Sequence, residues 1–138
     1  MRLSGFVVLF ILATCSGAGQ NLLGYDTNDI LKYMQKNHPN LVMESNFRND
    51  HYKYLKFTDG DRESTTVMFF MSDRDRCTSI RAIYDFSLKD EVISNLDRQY
   101  TRTGEYQWSD MKRRNSAKIE FSAEEWFITV SIKPEKQN

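Results

Sequence analysis

The sequence predicts a two-layer α+β domain in which a seven-stranded, mostly antiparallel sheet is backed by two helices on one face. Apolar residues recur at helical spacing in two segments and alternate with polar residues in seven others. Short polar turns join most of the alternating runs, which favours hairpins and antiparallel pairing. The predicted order is α-β-β-β-β-α-β-β-β. Because two helices on one side leave the other side uncovered, one face of the sheet is predicted to be open.

Before these elements, residues 1–19 match a secretory signal peptide. Arg2 precedes an apolar stretch over residues 6–13, and small residues follow that stretch. The stretch is much shorter than the ~20 residues that a membrane-spanning helix needs. We therefore expect cleavage near Gln20 and a single secreted or periplasmic domain of residues 20–138 with no membrane span.

Cys15 offers an alternative to this cleavage. The segment Leu12-Ala13-Thr14-Cys15 resembles a lipobox, in which Cys15 is lipidated and anchors the protein. Thr14 stands where that motif ordinarily has Gly, Ala or Ser, so the free form is favoured. In both cases Cys77 is left without a partner cysteine, and no disulfide is expected.

The first helix is predicted over residues 28–37, where Ile30 and Met34 lie at helical spacing. Asp26 or Thr27 is placed to cap its first turn. Four alternating runs follow and are predicted to be strands: Asn40–Phe47, His51–Thr58, Ser64–Ser72 and Cys77–Phe86.

Ser87 opens the second predicted helix, and Asp90 follows three residues later as in a capping box. The buried stripe of this helix includes Val92 and Leu96, and Gly104 is placed to end it. Three more runs are predicted to be strands: Glu105–Met111, Ser116–Ser122 and Glu125–Lys133. A helix followed by a three-stranded meander thus occurs twice, with the fourth strand between the two units, which is compatible with tandem α-β-β-β halves.

Alternation also divides each strand into a buried set and an open set. The predicted buried residues are Thr78, Ile80, Ala82, Tyr84 and Phe86 in the fourth strand, and Trp126, Ile128, Val130 and Ile132 in the last. Leu55 and Phe57 are the buried pair of the second strand. In the third strand Phe69 faces one way while Met68 and Phe70 face the other, so part of the open face is predicted to be apolar.

This open face holds the candidate binding site. Tyr52, Tyr54 and Phe70, with Arg81 nearby, are predicted to form an aromatic patch of the kind favoured at recognition surfaces. The alternative is a bent sheet that folds over its own open side. The leading hypothesis is a secreted, non-enzymatic binding or adaptor domain for a protein or peptide. A homodimer closed through two open faces, as an envelope structural protein, is a further alternative.

The rival hypothesis is a small thiol enzyme or hydrolase that uses Cys77 with His51. A working thiol needs a lowered pKa and a nearby base. Cys77 falls in the open set of its strand, and no feature of the sequence brings His51 or His38 beside it. No catalytic residue is therefore assigned.

Composition argues against several other partners. Basic and acidic residues number 19 each, so the chain lacks the basic excess that draws proteins to nucleic acid. Cys77 and two scattered histidines make no tetrahedral zinc set. The acidic run at residues 59–63 lacks the ligand spacing of a calcium loop. No glycine-rich phosphate loop or hydrolase motif occurs, so neither a metal nor a cofactor is expected.

Two runs carry a resemblance to other proteins: HYKYLKFTDGDRESTTVMFFMSDRDRCTSIRAIYDFSLKDEVISNLDRQY and EEWFITVSIKP. Together they resemble small secreted or periplasmic proteins of Bacteroidetes-type bacteria, over nearly the whole mature chain. That group has no established activity. The resemblance therefore implies a location and no catalytic residue.

Overall fold

The computed structural model describes residues 21–48, 53–60, 64–110 and 116–135. The predicted signal peptide and Cys15 lie outside this part of the chain. The two α-helices are α1 (Thr27–Asn37) and α2 (Lys89–Gln99). The strands are β1 (Val42–Arg48), β2 (Lys53–Thr58), β3 (Thr65–Met71), β4 (Cys77–Asp85), β5 (Thr101–Gly104), β6 (Gln107–Asp110), β7 (Ala117–Ala123) and β8 (Phe127–Pro134).

These strands form one antiparallel sheet in the order β1-β2-β3-β4-β8-β7-β6-β5. Each helix precedes a four-stranded meander, and the two meanders meet where β4 pairs with β8 at the centre of the sheet. The α+β class and the antiparallel sheet are confirmed. The predicted count of seven strands is wrong, because the described residues contain eight and the order is α-β-β-β-β-α-β-β-β-β.

The missed strand is β5. Tyr100 follows Leu96 at helical spacing, which extended the predicted helix toward Gly104. In the structure Tyr100 has extended backbone (φ −130°, ψ 167°), and its N–H donates to the Leu96 carbonyl at 2.9 Å, which closes α2. The chain then pairs with β6, with Arg102 opposite Trp108. Gly104 therefore ends a strand beside a hairpin turn rather than a helix.

The two helices begin differently. Asp26 caps α1 as predicted, since its carboxylate accepts a hydrogen bond of 2.9 Å from the Asp29 N–H. The predicted capping box at Ser87 and Asp90 is wrong. A short 3₁₀ turn occupies residues 86–88, and the side chain of Asp85 accepts from the Ser87 N–H at 2.9 Å. Only after this turn does α2 start, without a side-chain cap.

The core lies on one face of the sheet. Directly paired apolar residues cross six of its eight strands from β2 to β6, in the order Leu55, Phe69, Ile80, Ile132, Ile119 and Trp108. Both helices pack their buried side chains on this face, namely Ile30 and Met34 of α1 and Val92 and Leu96 of α2. The other face carries no helix in the described part of the chain.

The predicted register of β4 fails at its start. Phe70 pairs with Ser79 but Met71 pairs with Cys77, which leaves Thr78 as the extra residue of a β-bulge. The bulge reverses the alternation, so Cys77 is buried and Thr78 is exposed, opposite to the prediction. At the other end of β4, Phe86 was predicted to be buried but is 41% exposed, because the strand ends at Asp85. Ile80, Ala82 and Tyr84 are buried as predicted.

The prediction for Trp126 is also wrong. Its side chain is 75% exposed, because Trp126 lies in the bend before β8, where the alternation of the strand does not yet apply. Its carbonyl accepts a hydrogen bond of 3.1 Å from the Phe86 N–H. The predicted core residues Ile128 and Val130 are buried, and Ile132 packs partly buried against them.

Candidate functional site

Three of the four predicted site residues come together on the open face. Tyr54 of β2 pairs directly with Phe70 of β3, and their ring centroids lie 5.7 Å apart. The guanidinium carbon of Arg81, on β4, lies 5.8 Å from the centroid of the Phe70 ring. We call Tyr54, Phe70 and Arg81 the open-face patch. Tyr52 lies outside the described residues.

The patch is accessible at the surface. Arg81 is exposed, and Tyr54 and Phe70 are half-buried by their neighbours within the sheet. Met68 and Ile83 extend the apolar character of this face, since they flank Arg81 on adjacent positions and are also half-buried. In the described part of the chain β1 and β5 form the two edges of the sheet and do not pair with each other. The described sheet is therefore open at both edges.

Arg81 differs from two lysines that share this face. Lys56 forms an ion pair with Glu44 at 3.2 Å, and Lys118 forms one with Glu120 at 3.6 Å. Within the described ranges, no carboxylate lies within ion-pair distance of Arg81. Its positive charge lies over an aromatic ring and has no counter-charge among the described residues, which is an arrangement that suits an incoming anionic group.

The thiol that the enzyme hypothesis requires is poorly placed for catalysis. Cys77 is only 3% exposed, and burial raises the pKa of its thiol to about 12. The Sγ–H donates to the Ser79 carbonyl at 3.5 Å. A nucleophilic cysteine needs the opposite shift, toward the thiolate at neutral pH. His51, its predicted partner, lies outside the described residues.

A second feature, which the sequence did not predict, is a cavity of about 110 Å³ between the two helices and the middle of the core face. Met34 of α1 and Leu96 of α2 line its sides, and Val67, Ala82 and Val130 line its floor. We call it the inter-helix cavity. It lies on the opposite side of the sheet from the open-face patch, so the two features do not share a surface.

The described residues that line the inter-helix cavity include no Asp, Glu, Lys or Arg. Burial favours the neutral forms of two of its groups, since it lowers the pKa of His38 to about 4 and raises that of Tyr84 to about 12. At neutral pH the lining is therefore uncharged. Such a site disfavours a charged occupant, because the ion would lose its hydration without gaining a counter-charge.

Two polar atoms of the lining are buried without a hydrogen-bond partner among the described residues: Oδ1 of Asn40 and Oγ1 of Thr65. Buried polar atoms in native proteins are nearly all satisfied, so each such exception calls for a cause. The signal in the sequence was Thr65, a polar residue that shares the core face of β3 with Phe69. Ala82, a small residue between the larger Ile80 and Tyr84, is a second signal that the core is incompletely filled.

Within the described ranges, no cluster of three or more His, Cys, Asp or Glu side chains suited to a metal ion occurs. Neither described helix has the length and apolar character that crossing a membrane requires. Comparisons of the chain with protein-family models, curated proteins and solved structures found no match.

Proposed function

We propose that this is a secreted or periplasmic, non-enzymatic binding protein, and that its open-face patch recognises a segment of another protein. The segment carries an acidic side chain next to an apolar or aromatic one. The observation that carries the proposal is the guanidinium of Arg81, which lies above the Phe70 ring without an ion-pair partner among the described residues, on a face that no described helix covers.

Charge complementarity supports an acidic segment. An exposed cation–π contact contributes only ~0.5–1 kcal/mol. The Phe70 ring therefore orients Arg81, and because a contact with the ring face does not require the guanidinium N–H groups, these can still bind an acceptor. Guanidinium groups bind carboxylates through two parallel hydrogen bonds, which are stronger than bonds between neutral groups. The flat rings of Tyr54 and Phe70 supply apolar area beside this charge.

The same charge argues against a second copy of the chain as the occupant. In a dimer whose twofold axis passes through the patch, each Arg81 would face the Arg81 of the other copy. Two like charges at such close range oppose association. A measurement of the molecular mass in solution tests this alternative, because a wild-type dimer that dissociates in Arg81→Glu would place the second copy on the patch and contradict the proposal.

The proposal is tested by selecting a random peptide library on the immobilised mature protein. We expect enrichment of peptides in which Asp or Glu adjoins an aromatic or aliphatic residue. Arg81→Gln is expected to lower the affinity for these peptides about tenfold, because it removes one charge-assisted contact worth ~1.4 kcal/mol. The matched control is Lys32→Gln, which removes the same charge from an exposed position on α1, across the sheet.

Equal affinities of the selected peptides for wild type, Arg81→Gln and Lys32→Gln would contradict the proposal. So would a selection that enriches no acidic peptides over those retained by Arg81→Gln. Hydrolysis of the peptides during selection, abolished by Cys77→Ser, would instead support the thiol enzyme.

A further inference from the structure

We infer that the inter-helix cavity binds a small neutral molecule with an apolar body about the size of one ring and a hydroxyl or N–H group. This site is separate from the open-face patch, and the inference does not depend on the proposed function. It rests on the size of the cavity, the absence of charge in its lining, and two buried polar atoms that lack a partner among the described residues.

The size of the cavity limits the occupant. An apolar cavity of ~150 Å³ engineered into another protein binds benzene. The inter-helix cavity, at about 110 Å³, therefore suits a single small ring or a short branched chain rather than a sterol or a nucleotide. It lies between two helices, where small-molecule sites recur in proteins. Side chains from both helices would contact the occupant, as Met34 and Leu96 face the cavity from opposite sides.

The polar atoms define the group that the occupant carries. Oδ1 of Asn40 only accepts hydrogen bonds, whereas the hydroxyl of Thr65 both donates and accepts. A hydroxyl or N–H group on the occupant provides the missing donor. Thr65 is only 2% exposed, so bulk water does not solvate its hydroxyl group. A purely apolar occupant would leave both atoms unsatisfied, and a carboxylate would place a second acceptor beside Asn40.

The charge of the lining completes the description. His38 is neutral at physiological pH because burial lowers its pKa, and the described lining residues include no Asp, Glu, Lys or Arg. A cationic or anionic ligand would therefore lose its hydration without compensation. The three observations agree on a neutral, phenol-like or small alcohol-like ligand.

The experiment measures the binding of three probes to the folded mature protein by NMR titration: phenol, toluene and benzoate. We expect saturable binding of phenol, weaker binding of toluene, and none of benzoate. Intermolecular contacts from bound phenol to the methyl groups of Leu96 and Val130 would locate it in the cavity.

Thr65→Val tests the polar contact, because valine keeps the shape of threonine and removes only the hydroxyl. We expect it to lower the affinity for phenol about fivefold, which corresponds to the loss of one hydrogen bond. The affinity for toluene should not change. Thr66→Val is the matched control, since Thr66 is the neighbouring residue of β3 and faces the open side of the sheet. It should alter neither affinity.

The inference is overturned if phenol does not bind saturably to the wild type, or if benzoate binds as tightly as phenol. Equal effects of Thr65→Val and Thr66→Val on phenol would overturn it as well. A trapped water that satisfies both atoms would produce the first of these results.

Discussion

The indole N–H of Trp108 donates a hydrogen bond of 2.9 Å to Oδ1 of Asp97 and thereby ties β6 to α2. The Trp108 side chain is completely buried. Arg102 completes the cluster, with its guanidinium carbon 5.2 Å from the indole centroid and Nη1 3.5 Å from Oδ2 of Asp97. A single carboxylate thus holds two partners from the edge of the sheet against the helix.

Asp97→Ala should lower the free energy of unfolding by about 1–2 kcal/mol, because it leaves the buried indole N–H without its acceptor. Chemical denaturation measures the change. The control is Glu105→Ala, which removes an exposed carboxylate from the nearby turn and should cost less than about 0.5 kcal/mol. If the two variants were equally stable, the bond from Trp108 to Asp97 would not contribute as described.

The buried thiol of Cys77 should be unreactive in the native protein. Burial raises its pKa to about 12, so the nucleophilic thiolate is scarce at pH 8. In a Cys15→Ser background, we expect a thiol reagent to label the native chain at least ~100-fold more slowly than the chain in denaturant. Rapid labelling of the native protein would contradict this and would favour the thiol-enzyme hypothesis.

His38 makes stability depend on pH. Burial lowers its pKa to about 4 in the folded state, whereas an unfolded histidine titrates near ~6.5. Below ~6.5 the unfolded chain binds more protons than the native one, so the free energy of unfolding falls as the pH drops toward about 4. Above ~6.5 this contribution is constant.

From pH 7 to pH 5 the expected loss is about 2 kcal/mol, measured by denaturation at each pH. His38→Gln should remove most of this dependence, while His51→Gln provides the comparison for losing the other histidine. A wild-type protein equally stable at both pH values would show that His38 is not held neutral by burial.

The predicted N-terminus can be tested by the intact mass of the protein isolated from its native cells. Cleavage near Gln20 gives an unmodified mature chain. A mass that includes a diacylglycerol group on Cys15 would establish the lipid-anchored alternative and contradict the free form.

Local alternation predicted the core well wherever a strand was regular. Leu55, Phe57 and Phe69 are buried as expected, because one face of each strand packs under the helices. Alternation failed at Cys77, since a single extra residue in the β-bulge reverses the faces without any mark in the hydrophobic pattern. The strand β5 was missed because Tyr100 continues the helical spacing of α2, and only pairing with β6 shows where the helix ends.

The two sites differ in how far the sequence predicted them. Tyr54, Phe70 and Arg81 come together because hairpin register follows from the strand pattern, which is local information. The inter-helix cavity depends on how far side chains from two helices reach across the sheet. Asn40 and Thr65 are separated in sequence and line the same cavity only in the folded chain, so the sequence signals at Thr65 and Ala82 gave neither its position nor its size.

The most direct test of the central claim is a charge exchange between Arg81 and the acidic residue of a selected peptide. We expect Arg81→Glu to abolish binding of the original peptide and to restore binding when the acidic residue of the peptide is changed to Lys. The coupling energy between the two positions should be about 1 kcal/mol or more. If Arg81→Glu binds the original peptide as tightly as the wild type does, recognition does not take place at the open-face patch.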